Sequence, residues 1–222
     1  MIIKEHELEK FLNDNDQLLN ILVYGPNEGL VKEQIEKIKQ NYLSKEECEL
    51  VNVTGKDLDN EPRMLDDVVR TISMFSKKKI VIGDTMKDKH ISIIENIILN
   101  FPQQAVLIIR DGNLIKSSKI RKFFEGEKNC FALACYEDDS RSLMKNIDEF
   151  IKKNNFQINR DIKNYLLQSL SADRMVSKNE LEKIEIFYNN KNKEIQIEDV
   201  KNLLNDASSQ NLSKMNENVM FG

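Results

Sequence analysis

Five short apolar runs, each followed by a segment with helical periodicity, constrain the fold of this 222-residue chain more than any other feature. The runs span residues 17–25, 49–55, 79–84, 105–111 and 130–136. They lack the polar alternation of a strand with one solvated face. Such runs, separated by helices, are typical of a parallel sheet that is covered on both faces. We therefore predict a three-layer α/β domain built on a five-stranded parallel sheet.

The pattern changes near residue 138, after which the sequence has only helical periodicity. Apolar stripes within residues 143–151, 162–170, 181–187 and 200–204 predict four short helices in a small bundle. We expect an α/β domain over residues 1–139 and an all-helical domain over residues 140–206. Residues 207–222 are polar and weakly patterned, so we expect a linker or the start of a further domain there.

Composition and charge exclude several classes of protein. The chain has 33 Lys+Arg against 37 Asp+Glu, and this acidic balance does not indicate a nucleic-acid binder. Its three cysteines, Cys48, Cys130 and Cys135, form no CxxC pair and are odd in number, so we expect reduced thiols and no metal site. The first residues are too charged for a signal peptide, and no apolar run approaches the roughly 20 residues of a membrane span. We expect a cytoplasmic protein with no membrane partner.

The residues after the first run stand where a phosphate-binding loop would hold a nucleotide, between a buried strand and a helix. A working loop has the pattern GxxxxGK[ST], in which amides wrap the phosphates, the lysine reaches the β and γ oxygens and the hydroxyl binds Mg²⁺. Counted from Gly25, the second glycine, the lysine and the hydroxyl fall on Leu30, Val31 and Lys32. We predict a degenerate loop, marked by Gly25, Gly29 and Lys32, that does not bind ATP. The local pattern favours an ordinary strand-to-helix turn with a left-handed glycine at Gly29.

No arrangement of residues in the sequence supports catalysis. Asp84 ends the third run, where an ATPase would carry an Asp-Glu pair, but only one carboxylate is present. We interpret Asp84 as a helix cap or a solvated strand end, and Asp111 in the same way. His6 and His90 lie far apart in sequence without ligand partners at a suitable spacing, so we expect both on the surface.

One short segment has the pattern of a docking element. A helical stripe runs from Leu65 to Ile72, and at 100° per residue Phe75 falls near its edge, whereas Met74 points away and should be exposed. An outward Met beside a Phe is typical of an anchor that fills a partner's apolar pocket. The local pattern alone favours packing in a small satellite core. For Lys77 to Lys79, it favours a solvated loop over a nucleic-acid patch.

Several segments together carry a resemblance to a known family. In chain order they are ILVYGPNEGLVKE, TISMFSKKKIVIGD, AVLIIRDGNLIKSSKIRKFFE, ALACYEDDSRSL and DRMVSKNELEKIEIFY. They extend over most of the chain and resemble the delta subunit of the bacterial DNA polymerase III clamp loader, in a form similar to alphaproteobacterial versions. The resemblance implies an AAA+ α/β domain, a helical lid domain and a collar domain, the last of which we expect to be largely missing from this chain.

The resemblance also implies a function without catalysis. Members of this family do not bind or hydrolyse ATP; they bind the ring-shaped sliding clamp, the beta subunit, and favour its open form. An adjacent apolar pair, usually Leu-Phe, enters a pocket on the clamp, and by position this pair is Met74 and Phe75. The implied partners are the clamp, the delta prime and tau/gamma loader subunits, and primed DNA within the assembled loader. Arg174 lies where active relatives carry a nucleotide-sensing arginine, and we treat it as structural.

Two alternatives belong to other classes of function. An active P-loop ATPase or kinase with an atypical loop would turn over ATP and depend on Lys32. A nucleic-acid-binding module would bind DNA with a steep salt dependence. The basic residues available to such a module are Lys77 to Lys79, Lys116, Lys119, Arg121 and Lys122.

Overall fold

The chain divides into two compact units in the computed structural model. They comprise Met1–Tyr136 and Glu137–Gly222, and each is described by itself below. The structure describes residues 1–15, 18–71, 76, 78–100, 105–189 and 194–204. Within these residues no helix combines the length and the apolar character that crossing a bilayer requires.

The first unit is built on a parallel sheet of six strands. They are β1 (Ile2–Ile3), β2 (Asn20–Tyr24), β3 (Cys48–Thr54), β4 (Lys78–Asp84), β5 (Ala105–Asp111) and β6 (Cys130–Ala134). Their spatial order is β1-β6-β2-β5-β4-β3, and every described pairing is parallel. The parallel α/β fold is confirmed, but the prediction of five strands is wrong.

The sixth strand is β1, which the periodicity analysis missed because two residues are too few for a pattern. Ile2 pairs with Ala132 and Ile3 with Leu133. The ammonium group of Met1 donates to the carbonyl oxygen of Cys130 at 2.8 Å, which ties the strand to the start of β6. A short edge strand held this way extends the sheet by one row beyond β6.

Helices cover both faces of this sheet. They are α1 (Leu8–Asp14), α2 (Glu28–Leu43), α3 (Gly55–Asn60), α4 (Met64–Arg70), α5 (Ile91–Leu99) and α6 (Lys119–Gly126). Ile21 and Val23 of β2 pack on one face with α1 and α2, whereas Leu22 and Tyr24 pack on the other with α3 to α6. Because consecutive residues of β2 are buried on opposite faces, the strand has no polar alternation, and the predicted three layers are confirmed.

A carboxylate from outside the helix holds the start of α6. Asp88, in a 3-10 turn after β4, accepts hydrogen bonds from the Ser118 hydroxyl at 2.8 Å and from the Lys119 amide at 2.9 Å. These bonds lower the pKa of the Asp88 carboxyl, because they stabilise its charged form. The contact joins the segment after β4 to the helix after β5.

His90 lies in the interior, so its interpretation as a surface residue is wrong. It is 3% exposed, and its Nε2 lies 2.9 Å from Oδ1 of Asp59. Its Nδ1 accepts a hydrogen bond from the Lys87 amide at 3.2 Å, which requires the tautomer with the proton on Nε2. His90 therefore links the turn after β4 to α3. The side chain of His6, by contrast, is exposed.

The cysteines of the first unit are free thiols. Cys130 and Cys135 are buried and Cys48 is half-buried. Burial raises the pKa of Cys130 to about 12, which keeps this thiol protonated and poorly nucleophilic at neutral pH.

The second unit contains four helices in its described residues. They are α7 (Ser140–Asn154), α8 (Arg160–Ser169), α9 (Arg174–Tyr188) and α10, which spans 197–204. Two or more residues from each helix meet in one core: Leu143, Ile147, Ile162, Leu166, Leu181, Ile184, Val200 and Leu204. Each of the apolar stripes in the sequence therefore supplies residues to this core.

An ion pair anchors the start of α9 in the second unit. Arg174 donates from Nε and Nη2 to the two carboxylate oxygens of Asp138, each at 2.7 Å. Their side chains are 9% and 1% exposed. This bidentate pair joins α9 to the segment before α7, and it gives Arg174 a structural role.

We predict that replacing a buried amide in α2 stabilises the protein. Gln34 is 1% exposed, and within the described part of the chain neither its Oε1 nor its Nε2 has a hydrogen-bond partner. A buried polar group without a partner costs roughly 1–3 kcal/mol, so Gln34→Met should raise the free energy of unfolding by about that amount. Urea denaturation followed by circular dichroism measures the change. The control is Gln40→Met on the exposed face of the same helix; an equal effect of the two changes would contradict the prediction.

We also predict that Arg174→Met destabilises the second unit. The change leaves the Asp138 carboxylate buried without its partner, and breaking a buried pair in this way costs about 3–5 kcal/mol. Thermal unfolding of the full chain checks this, with Arg141→Met on the exposed surface of α7 as control. A second change, Asp138→Leu, should recover part of the loss. Unchanged unfolding of Arg174→Met would show that the ion pair carries no structural role.

Candidate functional site

The candidate site lies at the edge of the sheet where the parallel strands β2, β4 and β5 end. This edge is where nucleotides bind in related α/β folds. It holds a cavity of about 230 Å³. The residues around the cavity are Glu28, Val31, Lys32, Asp84, Thr85, Arg110, Asp111 and Gly112. The structure thus brings together three residues that the sequence singled out, Lys32, Asp84 and Asp111, whereas Gly25 and Gly29 do not line the cavity.

The turn between β2 and α2 is packed directly against the end of β6. Gly25 has φ +149°, and a Cβ at this position would lie 2.0 Å from the carbonyl oxygen of Cys135. Its amide donates to the carbonyl of Gly112 at 3.0 Å, and the Asn27 amide donates to the carbonyl of Cys135 at 3.3 Å. Only glycine fits at position 25, because both the backbone conformation and the contact with Cys135 exclude a side chain.

Several amides at the start of α2 are bonded within the protein. Oδ1 of Asn27 accepts from the Leu30 amide at 3.0 Å, and the Glu28 amide donates to the carbonyl of Pro26 at 3.1 Å. Asn27 is 1% exposed, and its Nδ2 donates to the carbonyl of Tyr136 at 3.4 Å. In a working phosphate loop the corresponding amides point at the phosphates. Here those of Gly25, Asn27, Glu28 and Leu30 are engaged within the protein.

The prediction of a left-handed backbone conformation at Gly29 is wrong. Gly29 is the second residue of α2 and is buried, and the described glycine with positive φ is Gly25. The helix begins at Glu28, where Asn27 caps it, and therefore starts inside the span that the GxxxxGK[ST] pattern would occupy from Gly25 to Lys32. Asn27 carried a visible signal, since an Asn a few residues before an apolar helical stripe is a common helix start.

An arginine pairs with Asp84, the carboxylate at the strand end where an ATPase would carry its Asp-Glu pair. Nε of Arg110 donates to Oδ1 of Asp84 at 3.0 Å, and its Nη2 donates to Oδ2. This hydrogen bonding raises the pKa of Arg110 above its usual range. Asp84 is therefore neither a helix cap nor a solvated strand end. Sequence reasoning missed Arg110, although Asp84 and Arg110 are register partners at the ends of β4 and β5.

Asp111 also departs from its sequence interpretation, because it is half-buried rather than solvated. Burial raises the pKa of its carboxyl, and the nearby charges of Asp84 and Asp88 raise it further. Its Oδ1 accepts from the Gly112 amide at 2.8 Å. Within the described residues, no group of three or more His, Cys, Asp or Glu side chains is arranged to hold a metal ion.

The predicted docking pair, Met74 and Phe75, lies outside the described residues, and so does Lys77. The pair falls in the connection between α4, which ends at Arg70, and β4, which begins at Lys78. The prediction of a solvated lysine loop is wrong for Lys78 and Lys79. Both belong to β4, where Lys79 is buried and Lys78 pairs with Glu46 at 2.5 Å.

The basic residues available to a nucleic-acid module are fewer than the sequence indicated. Arg121 donates to Glu125 at 2.8 Å and to the carbonyl of Leu114 at 3.0 Å, and its guanidinium lies 5.0 Å from the ring centre of Tyr24. It is engaged inside the domain. Lys116, Lys119 and Lys122 remain exposed, as a nucleic-acid contact would require.

Comparisons with known proteins agree with the resemblance found in the sequence. Among curated proteins, the probable DNA polymerase III subunit delta of Rickettsia prowazekii (strain Madrid E) is 29% identical over 174 residues. The aligned region covers 75% of this chain and 50% of that relative. The chain therefore spans about half the length of the curated relative that it matches.

Solved structures with the same fold come from several kinds of protein. The Bacillus subtilis DNA clamp loader delta protein (YqeN) matches with a TM-score of 0.56 and 17% identity, over 88% of this chain and 61% of that one. The Thermotoga maritima RuvB Holliday junction branch migration motor matches with 0.60 and 13%, over 90% and 68%. Domain III of the Thermotoga maritima replication initiation protein DnaA matches with 0.56 and 12%, over 90% and 89%. At these identities the likeness shows the fold alone, which is AAA+-like.

A match to a family model assigns the chain to one of these protein families. The model described as DNA polymerase III, delta subunit, matches residues 21–133, which extend from β2 into β6 and make up about half of the sequence. The family predicted from the quoted segments is thereby confirmed. The chain belongs to the DNA polymerase III delta subunit family.

Proposed function

We propose that this chain binds the sliding clamp as part of a bacterial clamp loader and favours the open form of the clamp without hydrolysing ATP. Family membership supports the role in a clamp loader. The observation that supports the absence of ATP chemistry is the turn at Gly25–Leu30, in which the amides of Gly25, Asn27, Glu28 and Leu30 are bonded within the protein. A role in replication would place the protein in the cytoplasm.

The charges at the sheet edge support the same proposal. A working site needs a lysine for the phosphates and an uncompensated carboxylate for Mg²⁺. Here Lys32 lies one position beyond the lysine of the motif, and Asp84 is paired with Arg110. Glu28, at the first position of α2, adds a negative charge to a cavity that would have to receive a triphosphate. The cavity therefore lacks the positive charge of a nucleotide site, and the amides of Glu28 and Leu30 are already bonded within the protein.

Clamp opening then follows from differential binding alone. A subunit can shift the clamp toward its open form only as far as it binds that form more tightly than the closed one. We propose that Met74 and Phe75 provide this contact from the connection between α4 and β4. A flexible thioether and an aromatic ring suit an apolar pocket, and a pair of this kind would act without any chemical step.

The remaining partners follow from the same family. We propose that residues 1–139 form the AAA+-like domain and residues 140–206 the lid of a loader subunit, which assembles with delta prime and tau/gamma. Contact with primed DNA belongs to that assembly, where the exposed Lys116, Lys119 and Lys122 are available.

We predict that the double change Met74→Ala and Phe75→Ala abolishes measurable clamp binding. Truncating a buried anchor typically costs about 2 kcal/mol or more, so each change should weaken binding about thirtyfold. Surface plasmon resonance with the cognate sliding clamp measures the affinity. Leu99→Ala serves as control, because Leu99 is 76% exposed in the same unit and is not assigned to the contact. Wild-type affinity of the double variant would remove Met74 and Phe75 from this role.

We predict that isothermal titration calorimetry with Mg-ATP detects no specific binding to the full chain. The same result is expected for Lys32→Ala, because no ATP is bound whose phosphates Lys32 could contact. Micromolar affinity that depends on Lys32 would instead support an active ATPase with an atypical loop.

A further inference from the structure

One dipeptide at the end of β5 has the chemistry of a spontaneous modification site. Asp111 is the last residue of β5, and Gly112 follows it. Asp111 is the only aspartate or asparagine of the chain that precedes a glycine. Such a pair is reactive because glycine has no side chain that would keep its amide nitrogen away from the preceding carboxyl group. We refer to Asp111 and Gly112 as the Asp-Gly step.

The Gly112 amide lies beside the carboxyl group of Asp111. Its nitrogen donates to Oδ1 of Asp111 at 2.8 Å. This carboxyl group lines the cavity of about 230 Å³, which gives it room to rotate and contact with water. Within the described part of the chain Asp111 takes part in no ion pair, whereas Asp84 in the same cavity is held by Arg110. Two groups placed next to each other in this way are favourably arranged for an intramolecular reaction.

The backbone at the Asp-Gly step is held by the sheet on one side. Asp111 is the register partner of Tyr24 on β2, whereas the described pairing of β5 with β4 ends one residue earlier, at Arg110. Gly112 is exposed, and a Cβ built on it would meet no atom within 4 Å. This end of β5 can therefore open locally, as formation of a ring requires, while the sheet stays folded.

We propose that the Asp-Gly step is a site of spontaneous isomerisation to isoaspartate. The Gly112 nitrogen gives up its proton and bonds to Cγ of Asp111, and the carboxyl hydroxyl leaves with a proton as water. Water then attacks the main-chain carbonyl carbon of Asp111 and breaks its bond to the Gly112 nitrogen, so that the main chain runs through Cβ and Cγ. One water is released and one is taken up, and no oxidant, reductant or cofactor takes part.

The surroundings of Asp111 favour the reactive form of its carboxyl group. Only the protonated acid carries a hydroxyl that leaves as water. Burial raises the pKa of Asp111, and the charges of Asp84 and Asp88 raise it further, while the hydrogen bond from the Gly112 amide opposes this shift only in part. A larger fraction of Asp111 is therefore protonated at neutral pH than of a solvated aspartate.

Isomerisation also has a consequence for the turn after β2. The carbonyl oxygen of Gly112 accepts from the Gly25 amide at 3.0 Å. Isoaspartate lengthens the main chain by one methylene group directly before Gly112, which moves this carbonyl away from the Gly25 amide. Modified molecules should therefore exchange the Gly25 amide hydrogen faster than unmodified ones. This inference does not rest on the proposed binding of the clamp.

The experiment incubates the full chain at neutral pH and maps isoaspartate over time in its proteolytic peptides, by mass spectrometry with electron-transfer dissociation. We expect isoaspartate at position 111 to reach several times the level at any other aspartate. Gly112→Ala should slow its formation severalfold, because the methyl group shields the amide nitrogen although the fold has room for it. Asp111→Glu should form no corresponding product, because its longer side chain would have to close a larger ring.

A sample unfolded in guanidinium chloride gives the rate of the same dipeptide without the fold. Isoaspartate at position 111 in the unfolded chain but not above the other aspartates in the folded chain would overturn the inference, because the fold would then protect the Asp-Gly step. NMR of the aged, folded sample tests the consequence. A second, faster-exchanging Gly25 amide in proportion to the modified fraction supports it, and unchanged Gly25 exchange in modified protein refutes the effect on the turn.

Discussion

The close approach of Gly25 to Cys135 is the contact on which the rest of the site depends. A side chain at position 25 would collide with a backbone oxygen 2.0 Å away, so the turn after β2 can pack against the end of β6 only as glycine. This packing aligns the Asn27 amide with the carbonyl of Cys135 and places Asn27 to cap α2. The helix therefore starts tight against the sheet, and a turn that could wrap a phosphate is replaced by one bonded to its own strands.

Buried or half-buried charged side chains hold elements together in both units. Arg110 joins the ends of β4 and β5 through Asp84, Lys79 joins β4 to α4, and Arg174 joins α9 to Asp138. Each of these cations meets its partner at short range. RuvB and DnaA share the fold, so architecture alone does not decide function.

The sequence was sufficient for the sheet core and for the helices, because long buried runs and apolar stripes depend on local pattern. It missed β1, which has two residues, and it misplaced His90 and Lys79, whose burial depends on distant partners, Asp59 on α3 and the carbonyls of α4. The missing lysine and hydroxyl of the phosphate loop were visible from counting alone. Aligning the ends of β4 and β5 in the sequence would have predicted the Asp84–Arg110 pair, because the two residues are register partners. The sequence analysis selected Gly25 for its place in a motif. Glycine is required there because the backbone of Cys135 lies too close for a side chain, and no local sequence pattern indicates this contact.

The central claim is that the amides of Gly25, Asn27, Glu28 and Leu30 in the turn after β2 are bonded inside the protein and are therefore not available to a phosphate. Amide hydrogen exchange followed by NMR measures this directly at Gly25, Asn27 and Leu30. The account predicts that these amides are protected in the nucleotide-free chain and that adding Mg-ATP leaves their exchange and chemical shifts unchanged. Rapid exchange without nucleotide, followed by protection when Mg-ATP is added, would contradict it.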